Sequence, residues 1–179
     1  MKITIATRLT ILRILLVIPF MYTALNHGKG MAIAAFIFFI SASITDFLDG
    51  RAARSMNEVT NLGKFFDQIA DKILVDAALL VFLQIGYVAS WFVITIIARD
   101  SFVSGLRMMG AVNGKVISAS WWGKFKTTFQ MLFIIFVLFY DINPIFGWTL
   151  NVILMWIALI MTVVSGIEYF VKNWEALKD

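Results

Sequence analysis

The chain has 179 residues, 61% of them hydrophobic, and a mean hydropathy of +0.89, far above the apolar share of about 45–50% in a soluble domain. Cysteine is absent and His27 is the lone histidine, which excludes a disulfide framework, a thiolate metal site and a multi-histidine metal centre within one chain. The net charge of +4 is read as the basic bias of inner membrane loops, with no nucleic-acid partner.

The apolar residues fall in long runs almost free of charge, at 15–25, 31–44, 79–97, 131–140 and 148–164. A spanning helix needs roughly 20 mainly apolar residues. The expectation is an all-α integral membrane protein with six transmembrane helices, at about 6–26, 31–56, 60–86, 89–112, 120–141 and 146–171. Residues 1–28 resemble a signal peptide only superficially. Arg8 and Arg13 carry the basic zone deep into the segment, and no small-residue cleavage site follows Leu25, so it is read as a retained first helix. The breaks carry turn residues: Asn26, Gly28 and Gly30, then 56–61, Gly86-Tyr87, Asn113-Gly114 and 141–144. A single domain over 1–179 is expected, with no linker and no soluble segment.

Charge sets the orientation. With both termini cytoplasmic, the outer loops are 26–30, 86–90 and 141–146, and of the 15 Lys and Arg residues only Lys29 lies outside. Trp91, Trp121, Trp122, Trp148 and Trp174 fall near predicted helix ends, where interfacial aromatics belong.

Helices two and three carry carboxylates that an apolar span should not hold: Asp46 and Asp49, three apart, and Asp67 and Asp71, four apart. Each costs at least ~2.5 kcal/mol on insertion scales. Both spacings put a pair on one helical face. The two helices are joined by a short inner loop, so all four can meet in one cavity. Protonation would relieve their repulsion; so would bound divalent ions, and an all-oxygen set suits Mg²⁺ or Mn²⁺. Two facing pairs fit a two-metal site better than a proton relay. Gly50, Ala52, Ala53 and Gly63 beside them are small enough for close helix packing, and equally for a flat nucleotide.

Written as one string, Asp46-x2-Asp49-Gly50-x2-Ala53-Arg54-x8-Gly63-x3-Asp67-x3-Asp71 resembles the signature of the CDP-alcohol phosphotransferase family, with eight defined positions in 26 residues. The resemblance implies a six-helix membrane enzyme that moves a phosphatidyl group from a CDP-linked lipid to an alcohol. It implies that Asp46, Asp49, Asp67 and Asp71 bind two divalent ions and that Asp71 is also the general base. It implies that Gly50, Ala53 and Gly63 line the cytidine pocket and that Arg54 holds donor phosphates. Read alone, Arg54 is as readily a topology determinant at the inner interface. A homodimer among membrane lipids, multi-pass in a bacterial cell membrane with its active site facing the cytoplasm, is likewise implied by resemblance.

The acceptor is read from the second half. Arg99 and Arg107 lie on the inner half of helix four, and Lys115, Lys124 and Lys126 follow. Any one lysine is ordinarily a solvated inner-loop charge, and Arg99 or Arg107 can simply pair with Asp100 or an active-site aspartate. Together, Arg99, Arg107, Lys124 and Lys126 make a phosphate pocket for a phosphorylated acceptor. The stretch resembles R-x-x-x-x-S-G-L-R followed by G-K-x-K-T of the branch that uses CDP-diacylglycerol and sn-glycerol 3-phosphate. The branch's opening N-x-x-T-x-x-R stands here as Thr7-x-x-Thr10-x-x-Arg13, without the asparagine. Inositol phosphate as acceptor, or a divalent-cation transporter using the four aspartates, are the competing readings. His27 and Glu58 are read as solvated, and Asp76 as a buried polar contact.

Overall fold

The computed structural model describes residues 5–26, 28–56, 61–112 and 120–173; for 5–9, 46–56, 61–68, 71, 111–112 and 146 it describes the backbone alone. Among these residues it is all-helical: α1 (Ile5–Leu25), α2 (Lys29–Met56), α3 (Asn61–Gln84), α4 (Ser90–Val112), α5 (Trp121–Ile142), a 3-10 turn at Pro144–Phe146, and α6 (Gly147–Lys172). The six helices match the expected ones to within about two residues at most ends. Lys29 and Gly30, assigned to an outer loop, instead open α2. His27, Glu58, Lys115 and Trp174 lie outside the described residues.

The chain divides into two compact units. In the first, α1 packs against α2 and α3, with 138–144 as a further strip. The buried positions of α1 are Thr10, Arg13, Val17, Phe20 and Thr23, and those of the outer part of α2 are Ala35, Phe39 and Ala42. Both sets step by three and four, as a helical seam must. Phe20 meets Phe39 at 5.6 Å between ring centroids. The opposite face of α1 exposes Ile11, Leu12, Leu15, Ile18 and Tyr22. This inverts the pattern of a water-soluble helix, whose apolar stripe faces inward.

The end of α3 shows why the chain turns where it does. Gly86 takes a φ of 82°, a region open to glycine at little cost. Tyr87 N donates to Phe82 O at 2.8 Å and Gly86 N to Leu83 O at 3.2 Å, the paired bonds of a Schellman cap. The accompanying apolar contact is present, with the Phe82 and Tyr87 rings 6.4 Å apart. Tyr87 Oη then donates to Asp141 Oδ1 at 2.5 Å, tying the cap to the end of α5.

In the second unit α4 packs against α6. The buried stripe of α6 is Asn151, Leu154, Ala158, Thr162, Ser165 and Tyr169, whereas Ile153, Trp156, Ile160 and Ile167 are exposed. Small and polar residues face protein and large apolar ones face outward, as helices pack in lipid. The hydroxyls are satisfied locally: Thr162 Oγ1 donates to Ala158 O at 2.6 Å and Ser165 Oγ to Thr162 O at 3.0 Å. Among the described residues, α5 and α6 are long and apolar enough to cross a membrane, and 10–25 and 29–45 form shorter apolar stretches. Trp91, Trp121, Trp122 and Trp148 sit in the first turns of α4, α5 and α6, the expected belt positions. The chain is a membrane protein.

Candidate functional site

The carboxylate helices have the expected backbone. Asp46 and Asp49 lie within α2 and Asp67 and Asp71 within α3, each pair about one turn apart on continuous α-helix. The two helices touch, and both pack on α1. The side chains of these four aspartates, and those of Ala53 and Arg54, are outside the described residues; Gly50 and Gly63 lie on the helical backbone of α2 and α3. Asp76, half-buried one turn beyond Asp71, engages in polar or electrostatic contact, in keeping with its expected bland role.

The second unit carries the cationic residues with their side chains in view. Asp100 is the organiser. Its Oδ1 accepts from Arg99 Nη1 at 3.0 Å and its Oδ2 from Lys126 Nζ at 2.5 Å. Asp100 and Lys126 are 26 residues apart in sequence, so the link exists only because α4 and α5 are adjacent here. The Lys126 side chain is 5% exposed. Reading Lys126 as a solvated loop charge is therefore overturned: it is a buried, paired cation in the second turn of α5. The carboxylate thus bridges a guanidinium and an ammonium in one largely buried group.

Arg99 is further confined by α6. A Cβ at Gly166 would stand 3.1 Å from Arg99 Cγ, closer than ordinary packing, so the glycine makes room for the guanidinium stem. Arg99 Nε is buried and makes no hydrogen bond among the described residues.

Arg107, about two turns further along α4, is also oriented by α6. Its Nε donates to Tyr169 Oη at 2.8 Å, and its guanidinium carbon lies 5.5 Å from the Tyr169 ring centroid. Tyr169 is itself buried beside Val103 and Leu106. Lys124 differs from the other three. It is exposed and rests over the Trp121 ring at 4.4 Å, the bland interfacial position. A cleft of about 460 Å³ opens between the start of α5 and the end of α6, lined by Ser120, Trp121, Trp122, Glu168, Tyr169, Lys172 and Asn173. The structure thus joins Arg99 with Lys126, gives Arg107 a separate aromatic partner and leaves Lys124 at the surface.

Asp100, Tyr169 and Gly166 were not singled out as site residues from sequence. Tyr169 lies 62 residues from Arg107, with no local motif to mark it. Gly166 breaks an otherwise bulky apolar stretch, the only hint of a close approach.

Comparison with known proteins places these elements. The CDP-alcohol phosphatidyltransferase family profile matches residues 3–164. The CDP-diacylglycerol–glycerol-3-phosphate 3-phosphatidyltransferase of Bacillus subtilis (strain 168) is 41% identical over 184 residues, covering 99% of this chain and 95% of that protein. The protein of the same name from Haemophilus influenzae is 39% identical, covering 94% of this chain and 92% of its own. A probable phosphatidylglycerophosphate synthase of Mycobacterium tuberculosis is 36% identical over 97% of this chain and 82% of its own length. With a profile that runs through both the carboxylate helices and the cationic unit, the chain belongs to the CDP-alcohol phosphatidyltransferase family.

Proposed function

We propose that this chain transfers the phosphatidyl group of CDP-diacylglycerol to sn-glycerol 3-phosphate, giving phosphatidylglycerol phosphate and CMP. The observation that carries the reading is near full-length similarity to relatives named for that reaction. The same names favour glycerol 3-phosphate over inositol phosphate, and a transferase over a divalent-cation transporter. The Arg99–Asp100–Lys126 group and Arg107 supply the positive charge that a phosphorylated acceptor requires.

The family works with divalent metal ions. The donor set fits them: two pairs of carboxylates one turn apart on touching helices offer hard oxygen ligands alone. Asp46, Asp49, Asp67 and Asp71 would hold two ions, Mg²⁺ or Mn²⁺. When bound there, such ions would supply charge neutralisation for the donor pyrophosphate and Lewis-acid polarisation of its lipid-side phosphorus. Gly50, Ala53 and Gly63 line the cytidine pocket and Arg54 holds the donor phosphates. Arg99, Arg107 and Lys126 fix the acceptor phosphate, with Lys124 at the rim. Asp71 accepts the proton of the attacking hydroxyl as the new P–O bond forms, and the bond to the departing CMP oxygen breaks in line with it.

In this reading residues 1–179 act as one CDP-alcohol phosphotransferase domain. The chain crosses a bacterial cell membrane six times, with both termini and the active site on the cytoplasmic side, and forms a homodimer among membrane lipids. The near-exclusion of Lys and Arg from the predicted outer loops supports the orientation. The test uses purified protein in detergent with CDP-diacylglycerol, Mg²⁺ and one candidate acceptor at a time. CMP release that depends on glycerol 3-phosphate is expected; release with inositol phosphate alone would overturn the acceptor assignment.

A further inference from the structure

The first helix holds a residue that the reaction scheme leaves unused. Arg13 lies in the middle of the apolar helix α1 and is 1% exposed; Thr10, one turn before it, is 2% exposed. A guanidinium enclosed among helices is costly unless anionic or polar groups answer it. Neither residue lacks an interaction partner.

The packing of α1 against α2 indicates where the answering charge stands. The connection between the two helices is so short that they run antiparallel. Phe20 faces Phe39, and Val17 and Thr23 of α1 and Ala42 and Ala35 of α2 are buried on either side of it; an antiparallel register through that contact sets Val17 level with Ala42 and Thr23 level with Ala35. Continuing the same steps of three and four sets Arg13 level with Asp46 and Thr10 level with Asp49.

We infer that Arg13 is a positioning residue for the carboxylate tier, a fixed counter-cation that holds the Asp46–Asp49 pair oriented and limits the mutual repulsion of the four aspartates. The inference rests on the proposed metal site and adds a cation that competes with the metal for the same carboxylates. Removing a competing positive charge tightens divalent-ion binding, whereas loss of a ligand would weaken it.

The experiment measures Mn²⁺ binding and thermal unfolding of full-length protein in detergent for the wild type, Arg13→Gln, Arg13→Lys and Asp46→Asn. Arg13→Gln is expected to bind Mn²⁺ about tenfold more tightly, and to unfold at lower temperature without metal but recover with it. Arg13→Lys, which keeps the charge, is expected to stay near the wild type. Unchanged Mn²⁺ affinity in Arg13→Gln, with a raised KM for CDP-diacylglycerol, would overturn the inference in favour of direct donor contact. Wild-type protein without Asp46-dependent Mn²⁺ binding would remove the metal reading and this inference together, whereas normal wild-type binding with unaltered Arg13→Gln removes this one alone. If Arg13→Gln does not fold, the double variant Arg13→Gln/Asp46→Asn decides: recovery of folding supports the pairing, and no recovery refutes it.

Discussion

The two compact units differ in how their chemistry is encoded. The carboxylates of the first unit come in pairs, each on a single helix, so a period of 3.6 residues is enough to bring their backbone positions together. The cations of the second unit come from α4 and α5 and are held by partners on α4 and α6. Arg99 and Lys126 meet on Asp100, and Arg107 meets Tyr169. A site built along one helix is visible in one dimension; a site built across helices depends on which faces pack.

The largest expected effect lies in the first unit. Asp71→Asn should lower kcat by about 10²–10⁴, the range for loss of a positioned general base, with little change in expression or in the helical content seen by circular dichroism. Near-normal turnover would remove the assigned base. Next comes the second unit's organiser. Asp100→Asn takes the shared carboxylate from two largely buried cations and should destabilise the protein by about 3 kcal/mol, seen as a lower unfolding temperature in detergent. An unchanged transition would mean that Arg99 and Lys126 do not depend on Asp100.

Arg107→Ala should raise KM for glycerol 3-phosphate about 10–100-fold, as loss of a charge-assisted phosphate contact does, while leaving KM for CDP-diacylglycerol nearly alone. Tyr169→Phe keeps the ring and removes the oxygen that accepts from Arg107. It should give a smaller rise of a few-fold, worth about 1 kcal/mol. Equal effects on both substrates would break the assignment of the second unit to the acceptor.

The smallest effect concerns the cap joining α3 to the end of α5. Burial first, and then the bond to Asp141, push the Tyr87 phenol above its usual range. A group whose folded pKa is raised favours the folded state while it is protonated. Its contribution is therefore complete below the unfolded value of about pH 10 and is lost as the pH climbs past it. Alkaline unfolding of the wild type should gain a step above about pH 10 that Tyr87→Phe lacks; identical pH profiles would separate the tyrosine from the stability of this corner.

Several features were legible without coordinates for physical reasons that can be named. Gly86 marked the end of α3 because a left-handed residue closes a Schellman cap, and Pro144 marked the break before α6 because proline cannot continue the preceding helix. Lys126 was expected among the phosphate-binding cations, but its burial against Asp100 was not, because a lysine in a basic segment looks the same whether it faces water or a carboxylate 26 residues away. Arg13 was visible as a charge in an apolar run, but its enclosure was not, since burial depends on α2 and α3 closing over α1.

The amino-acid sequence by itself determined the helices, the membrane setting and the spacing of the carboxylates, because these follow from local periodicity and from the cost of exposing backbone or charge to hydrocarbon. Tertiary structure alone decided the distant partners: Lys126 on Asp100, Tyr169 behind Arg107, Gly166 beside Arg99 and the helices that seal Arg13 inside the first unit. Those contacts join residues far apart in the chain, and only packed helices bring such residues within bonding distance.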